Sequence, residues 1–159
     1  MLGYKKKNED RRGVGIYLNI RNGKIIRKDK DGLLEETFDY VEGSLESIYR
    51  KDVTLRDGST KNFVYLVLQS YGKNSERYLL SFGEWNPILF SLLMNLAGDP
   101  DLNGLSTIRI EAYELAGKTK VSVFDNGNRL SWINLQVPQG EEAKRLFVSG
   151  LIDRIQKKI

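Results

Sequence analysis

Aromatic rings and cations stand side by side at several points of this sequence. Tyr49-Arg50-Lys51, Arg56 and Lys61-Asn62-Phe63-Val64-Tyr65 crowd its middle, Tyr71, Lys73, Arg77 and Tyr78 surround Gly72, and Tyr113, Lys118 and Lys120 surround Ala116-Gly117. Flat rings stack on nucleobases and cations hold phosphates. Together they bind unpaired strands with little sequence preference, each stack contributing ~1 to 3 kcal/mol. The same residues at hairpin tips also serve solubility, so their chemistry depends on where the fold puts them.

Absences narrow the other chemistries. The chain has no His and no Cys. That removes the imidazole base of Ser and Cys hydrolases, thiol nucleophiles, disulfides, iron–sulfur clusters and zinc sites needing nitrogen or sulfur. Carboxylate chemistry with magnesium or manganese, lysine chemistry, or no chemistry is left. The best enzymatic alternative is a magnesium-dependent nuclease on Asp99, Asp101 and Glu111 or Glu114. Pro100-Asp101 followed by Glu111 faintly resembles the PD-(D/E)xK pattern, but Tyr113 stands where its lysine belongs. Asp99 and Asp101 read more simply as residues that end a helix and hydrate a loop. Gly13 and Gly15 precede a strand rather than joining a strand to a helix, so they form no dinucleotide fingerprint. No cofactor or metal is expected, and the protein is expected not to be an enzyme.

The elements that must position these residues follow from pattern. At 159 residues, with 40% hydrophobic and 29% charged residues and three prolines, the chain suits one globular domain with its own core. Asn22-Gly23, Asp31-Gly32, Asp57-Gly58, Asn103-Gly104 and Asn126-Gly127 supply the positive φ of tight turns. Alternation predicts strands over 15–21 and 24–28, a long, irregularly patterned strand over 45–55 suited to a bulge, and strands over 62–70, 77–82, 105–115 and 118–124, with another over 129–137. In 62–70 the aliphatic set Val64, Leu66 and Leu68 faces the core, leaving Phe63 and Tyr65 to the other face. Tyr17, Asn19 and Arg21 likewise face away from Ile16, Leu18 and Ile20.

Asn86 can cap a helix, Pro87 suits its first position, and Gly98 stops it. Its body, ILFSLLMNLA, is apolar nearly all round, so it is expected to be buried on most sides. From Glu141 onward Phe147, Val148, Leu151, Ile152, Ile155 and Ile159 recur at helical spacing, with Gly150 weakening the pattern.

The net charge is +4, and residues 1–12 hold five basic residues against Glu9 and Asp10. Residues 1–13 are therefore expected to form a flexible basic arm, residues 14–137 a barrel, and residues 138–159 an amphipathic helix packed on the body or on another subunit. No segment approaches the ~20 consecutive apolar residues of a membrane span. A cytoplasmic protein without membrane contact is expected.

A hairpin, a long curved strand, a further strand, an apolar helix and a final hairpin follow one another here. GIYLNIRNGKII, NFVYLVLQS, WNPILFSLLMNLAG and TIRIEAYELAGKTKVSVF carry this order. Over roughly residues 14–135 the chain resembles the OB-fold single-stranded DNA-binding proteins, particularly the compact phage and mobile-element type. The resemblance implies a mainly β fold with two helices: an OB-like five-stranded barrel, a helix after its third strand plugging the bottom, and an added C-terminal helix. Many members end in an acidic tail that recruits enzymes, whereas this chain ends in LIDRIQKKI. The Whirly type, four strands and a helix repeated, fits the order loosely and also binds single strands.

The expected interface comprises Tyr17, Arg21, Tyr49, Arg50, Lys51, Arg56, Lys61, Phe63, Tyr65, Lys73, Arg77, Tyr113, Lys118 and Lys120. The expected partner is single-stranded DNA, with RNA as a variant, in replication, recombination or repair. Self-association and contacts with replication or recombination proteins complete the expectation, and an adaptor barrel that binds no nucleic acid is the third class.

Overall fold

The structure, a computed structural model, describes residues 15–28, 32–72, 75–131 and 136–159. The arm 1–13, Asp31, Lys73 and Trp132 lie outside them. Nine strands and two helices follow in the order β1 (Ile16–Arg21), β2 (Lys24–Lys28), β3 (Glu35–Phe38), β4 (Tyr40–Thr54), β5 (Thr60–Gln69), β6 (Arg77–Gly83), α1 (Pro87–Ala97), β7 (Thr107–Leu115), β8 (Lys118–Asp125), β9 (Asn128–Arg129) and α2 (Glu141–Gln156).

Asn22 and Gly23, Ala116 and Gly117, and Asn126 and Gly127 all have positive φ, as two-residue hairpins of matching twist require. They join β1 to β2, β7 to β8 and β8 to β9 as antiparallel pairs. One sheet results, ordered β3-β2-β1-β6-β5-β4-β7-β8-β9. The β1–β6 pairing is parallel and the others are antiparallel.

The covalent chain forces this sheet to curl. In a flat sheet β3 and β4 would be five steps apart, roughly 24 Å at ~4.8 Å per strand, yet Asp39 alone joins Phe38 to Tyr40. The sheet is therefore an open, strongly curled half-barrel. The Gly23 N–H also donates to Thr119 Oγ1 at 3.0 Å, holding the first hairpin against the β7–β8 end.

The mainly β class with two helices is observed, but the five-stranded barrel is corrected to nine strands. The first hairpin is not one strand of a closed ring. It joins the edge of β6 as two strands, β3 adds another, and the long strand begins at Tyr40 rather than Leu45. The strand expected over 129–137 is Asn128–Arg129 within the described residues. A bulge does occur in β4: register shifts between Leu45 and Ser47. The extra residue, Glu46, lets both Leu45 and Ile48 point into the core.

Asn86 caps α1, its side-chain oxygen accepting from the Ile88 N–H at 2.9 Å, with Pro87 opening the helix. Leu89, Leu92, Leu93 and Leu96 are wholly buried, in one core cluster with the inward side chains of β4, β5, β7 and β8. At about 1.5–3 kcal/mol for each fully buried side chain, this helix is a large share of the core. Val148, Leu151, Ile152 and Ile155 bring α2 onto the same cluster, and Phe147 stacks on Phe90 at 6.5 Å. Gln156 Nε2 donates to the Ile48 carbonyl oxygen at 2.8 Å, tying α2 to β4. The apolar face of α2 is thus spent on its own body.

Candidate nucleic-acid interface

Alternation along the strands splits the expected site residues between two faces. Tyr49 lies opposite Tyr65, Lys51 opposite Phe63 and Val53 opposite Lys61, so these six share the outer face of β4 and β5. Tyr17 on β1 pairs with Leu79 on β6, which in turn pairs with Val67 on β5. That places Tyr17 on the same face, two strands from Tyr65.

The rings form a row. Tyr65 stacks on Tyr49 with centroids 5.4 Å apart and planes at 21°, and Tyr17 meets Tyr65 edge-on at 6.5 Å and 82°. Val67, Leu79 and Tyr49 make a small buried cluster against which Tyr65 packs. Tyr65 and Phe63 are half-buried, whereas 49% of Tyr17 is exposed. Partial burial, with Tyr17 and Tyr49 adjoining, pushes the Tyr65 phenol above its ordinary range, so it stays a neutral ring across the physiological range. Beside Tyr17, Ser81 Oγ donates to Asn19 Oδ1 at 3.1 Å, fixing β1 against β6.

Lys51 and Lys61 are exposed on this face, and Arg56 is exposed in the β4–β5 turn. None of the three makes an ion pair among the described residues. Arg21 continues the outer face of β1 but pairs with Glu35.

Four expectations change. Tyr49 is 9% exposed and its ring is covered by Tyr65, so it supports the row instead of offering a face. Arg50 points to the opposite side, where Nη2 donates to the Arg145 carbonyl oxygen at 3.0 Å. Burial lowers its pKa, with Glu84 acting against that and Arg145 with it. Arg77 is 8% exposed and its Nε holds Glu46 at 2.9 Å, locking the bulge rather than a phosphate. Tyr113 and Lys120 do face each other on the outer side of β7 and β8, with Lys118 at the tip. However, β7 pairs with β4 only at Tyr40–Ser44. Tyr113 therefore lies beyond the start of β4, while Tyr49 is nine residues along it, roughly 30 Å of strand away.

The structure thus brings together Tyr17, Phe63, Tyr65, Lys51 and Lys61, with Arg56 in the adjoining turn, and leaves Tyr113, Lys118 and Lys120 as a separate patch. The nuclease set does not assemble. Glu111 pairs with Arg109 at 3.0 Å on the outer face of β7, Glu114 is exposed, and Asp99 is buried behind α1. Among the described residues no group of three or more His, Cys, Asp or Glu is placed to hold a metal ion.

Two contacts had no counterpart in the sequence reading. Arg109 lies over the Tyr40 ring, 3.7 Å from its centroid, and Arg145 stands 5.7 Å from the centroid of Trp85 while bonding Glu84. Both depend on pairings distant in sequence and leave no local periodicity. No family model, curated protein or solved structure matches the chain.

Proposed function

We propose that the protein binds single-stranded DNA with little sequence preference and without chemical turnover, on the outer face of β1, β5 and β4. The observation that carries this is one surface holding Tyr17, Phe63 and Tyr65 beside Lys51 and Lys61. Rings offer stacking to any base, and ammonium groups without an ion-pair partner among the described residues are available to phosphates.

An OB-like core belongs to this reading. Support comes from the run β4–β5–β6, then α1, then the β7–β8 hairpin returning to β4: three strands, an apolar helix and two strands. In that architecture strands two and three carry the ligand. Here they correspond to β5 and β6, whose outer face holds Phe63, Tyr65 and Ser81.

Anisotropy titrations of labelled single-stranded DNA, single-stranded RNA and duplex test the proposal. Tight binding to single strands, weaker binding to duplex and an intact oligonucleotide in magnesium are expected. Cleavage lost in Asp101→Asn would favour the nuclease, and no binding at low salt would favour an adaptor.

A further inference from the structure

At the far end of α1 from its cap, three polar side chains are sunk among apolar ones. Asn95 in the last turn of α1, Asp99 just beyond it and Asp125 at the end of β8 are 3, 3 and 4% exposed. Burying two carboxylates together is costly, because each loses its hydration and repels the other. Some further species must offset that cost at neutral pH.

Each of the three is anchored by one atom. Asn95 Nδ2 donates to the Ser91 carbonyl oxygen at 3.0 Å, Asp99 Oδ1 accepts from the Asp101 N–H at 3.0 Å, and Asp125 Oδ2 accepts from Ser106 Oγ at 3.3 Å. Among the described residues the second oxygen of each, Asn95 Oδ1, Asp99 Oδ2 and Asp125 Oδ1, is buried without a hydrogen-bond partner. All three residues line one pocket of about 550 Å³, together with Asp101 and Arg129. Burial, then a hydrogen bond that the Asp99 and Asp125 carboxyl groups make only when one of them carries a proton, raises the Asp125 carboxyl above its ordinary range. Lys158 reaches this corner, but its Nζ bonds the Ala97 and Asp99 carbonyl oxygens at 2.8 Å each and makes no ion pair with either carboxylate.

A proton shared by the two carboxyl groups would settle two of these oxygens and leave the amide oxygen, which only accepts, without a donor. A hard cation in the pocket that the three residues line would supply a partner for all three, with water completing its oxygen shell. The buried, unpartnered oxygen of Asn95 is the feature that acid–acid pairing does not explain.

We propose that Asn95, Asp99 and Asp125 bind one hard divalent cation, calcium or magnesium, which clamps the end of α1 to the end of β8. The site lies on the opposite side of the sheet from the aromatic row and is independent of nucleic-acid binding.

Calorimetric titration of the chelator-treated full chain with calcium chloride and with magnesium chloride, near neutral pH, tests this. One saturable event per chain with at least one of the two is expected, together with a higher melting midpoint. Asp125→Asn keeps the side-chain volume and removes the repulsion, so it should fold, which its melt in chelator checks. Asp125→Asn and Asn95→Leu should each weaken the cation by about 10-fold or more, and Glu111→Gln, outside the pocket, should not. Absence of saturable binding up to about 10 mM of either salt, weaker than oxygen-ligand calcium sites reach, would overturn the site. So would an affinity that both pocket substitutions leave unchanged.

Discussion

Tyr65 lies nearly parallel to Tyr49, centroids 5.4 Å apart, because β4 and β5 place them directly opposite each other on the outer face. The two rings therefore have different roles. Tyr49, 9% exposed, is a support, and Tyr65 is the ring it holds up to solvent.

Tyr65→Ala should weaken binding to unrelated single strands by about 1–3 kcal/mol, the worth of one stacked base. Tyr49→Ala should act first on the fold, lowering stability by about 3 kcal/mol as a buried aromatic does. Denaturant unfolding and oligonucleotide titration of both variants separate the two effects. Equal loss of affinity without loss of stability in Tyr49→Ala would contradict the division.

Salt dependence should locate the cations. Lys51→Ala and Lys61→Ala should each reduce the slope of log affinity against log salt by up to about 0.7, the value for one phosphate contact on a single strand. Lys118→Ala and Lys120→Ala should leave it unchanged, since the β7–β8 tip is remote from the row. Titrations across a salt series read both, and a slope reduced by the second pair alone would move the interface to that tip.

Two glycines should respond oppositely to alanine. At Gly43 a Cβ would meet the backbone of Gln69 at 2.9 Å, so Gly43→Ala should separate β4 from β5 and cost about 1–3 kcal/mol. Gly150 lies on the exposed side of α2, where a Cβ meets nothing, so Gly150→Ala should stabilise by about 0.5–1 kcal/mol. Melting curves of the two variants decide both.

Alkaline stability should depend on Tyr78. Burial, then its hydrogen bond to Glu76, pushes this phenol from 10.0 up to about 12. The folded state holds the proton more tightly than the unfolded state, so the contribution is complete below pH 10 and is lost as pH rises through 12. The loss is at most about 2–3 kcal/mol. Tyr78→Phe should flatten unfolding free energy against pH in that window; an unchanged curve would contradict the shift.

Local pattern carried much of this architecture. Asn22-Gly23, Asn126-Gly127 and Ala116-Gly117 turn where their positive φ allows, and Asn86 with Pro87 starts α1. The period of two does part Phe63 and Tyr65 from Val64. The same period sends Arg50 away from Lys51, a separation already implicit in Tyr49-Arg50-Lys51. Long-range pairing was not legible. All four residues of β3 are exposed, so no alternation marks it, and the parallel β1–β6 ladder joins segments some sixty residues apart. Burial of Arg77 follows from Glu46 bulging toward it, a tertiary event. Asn95, the one amide side chain in a helix that is apolar but for Ser91, was the local sign of the polar pocket behind the sheet.

Photochemical cross-linking of an iodouracil-substituted single strand to the full chain, with the adducts mapped by mass spectrometry, tests the interface most directly. Adducts on Tyr17, Phe63 or Tyr65 are predicted, because these rings would lie against the bases. Adducts confined to Tyr113 or to α2, with none on the outer face of β1 and β5, would contradict the account.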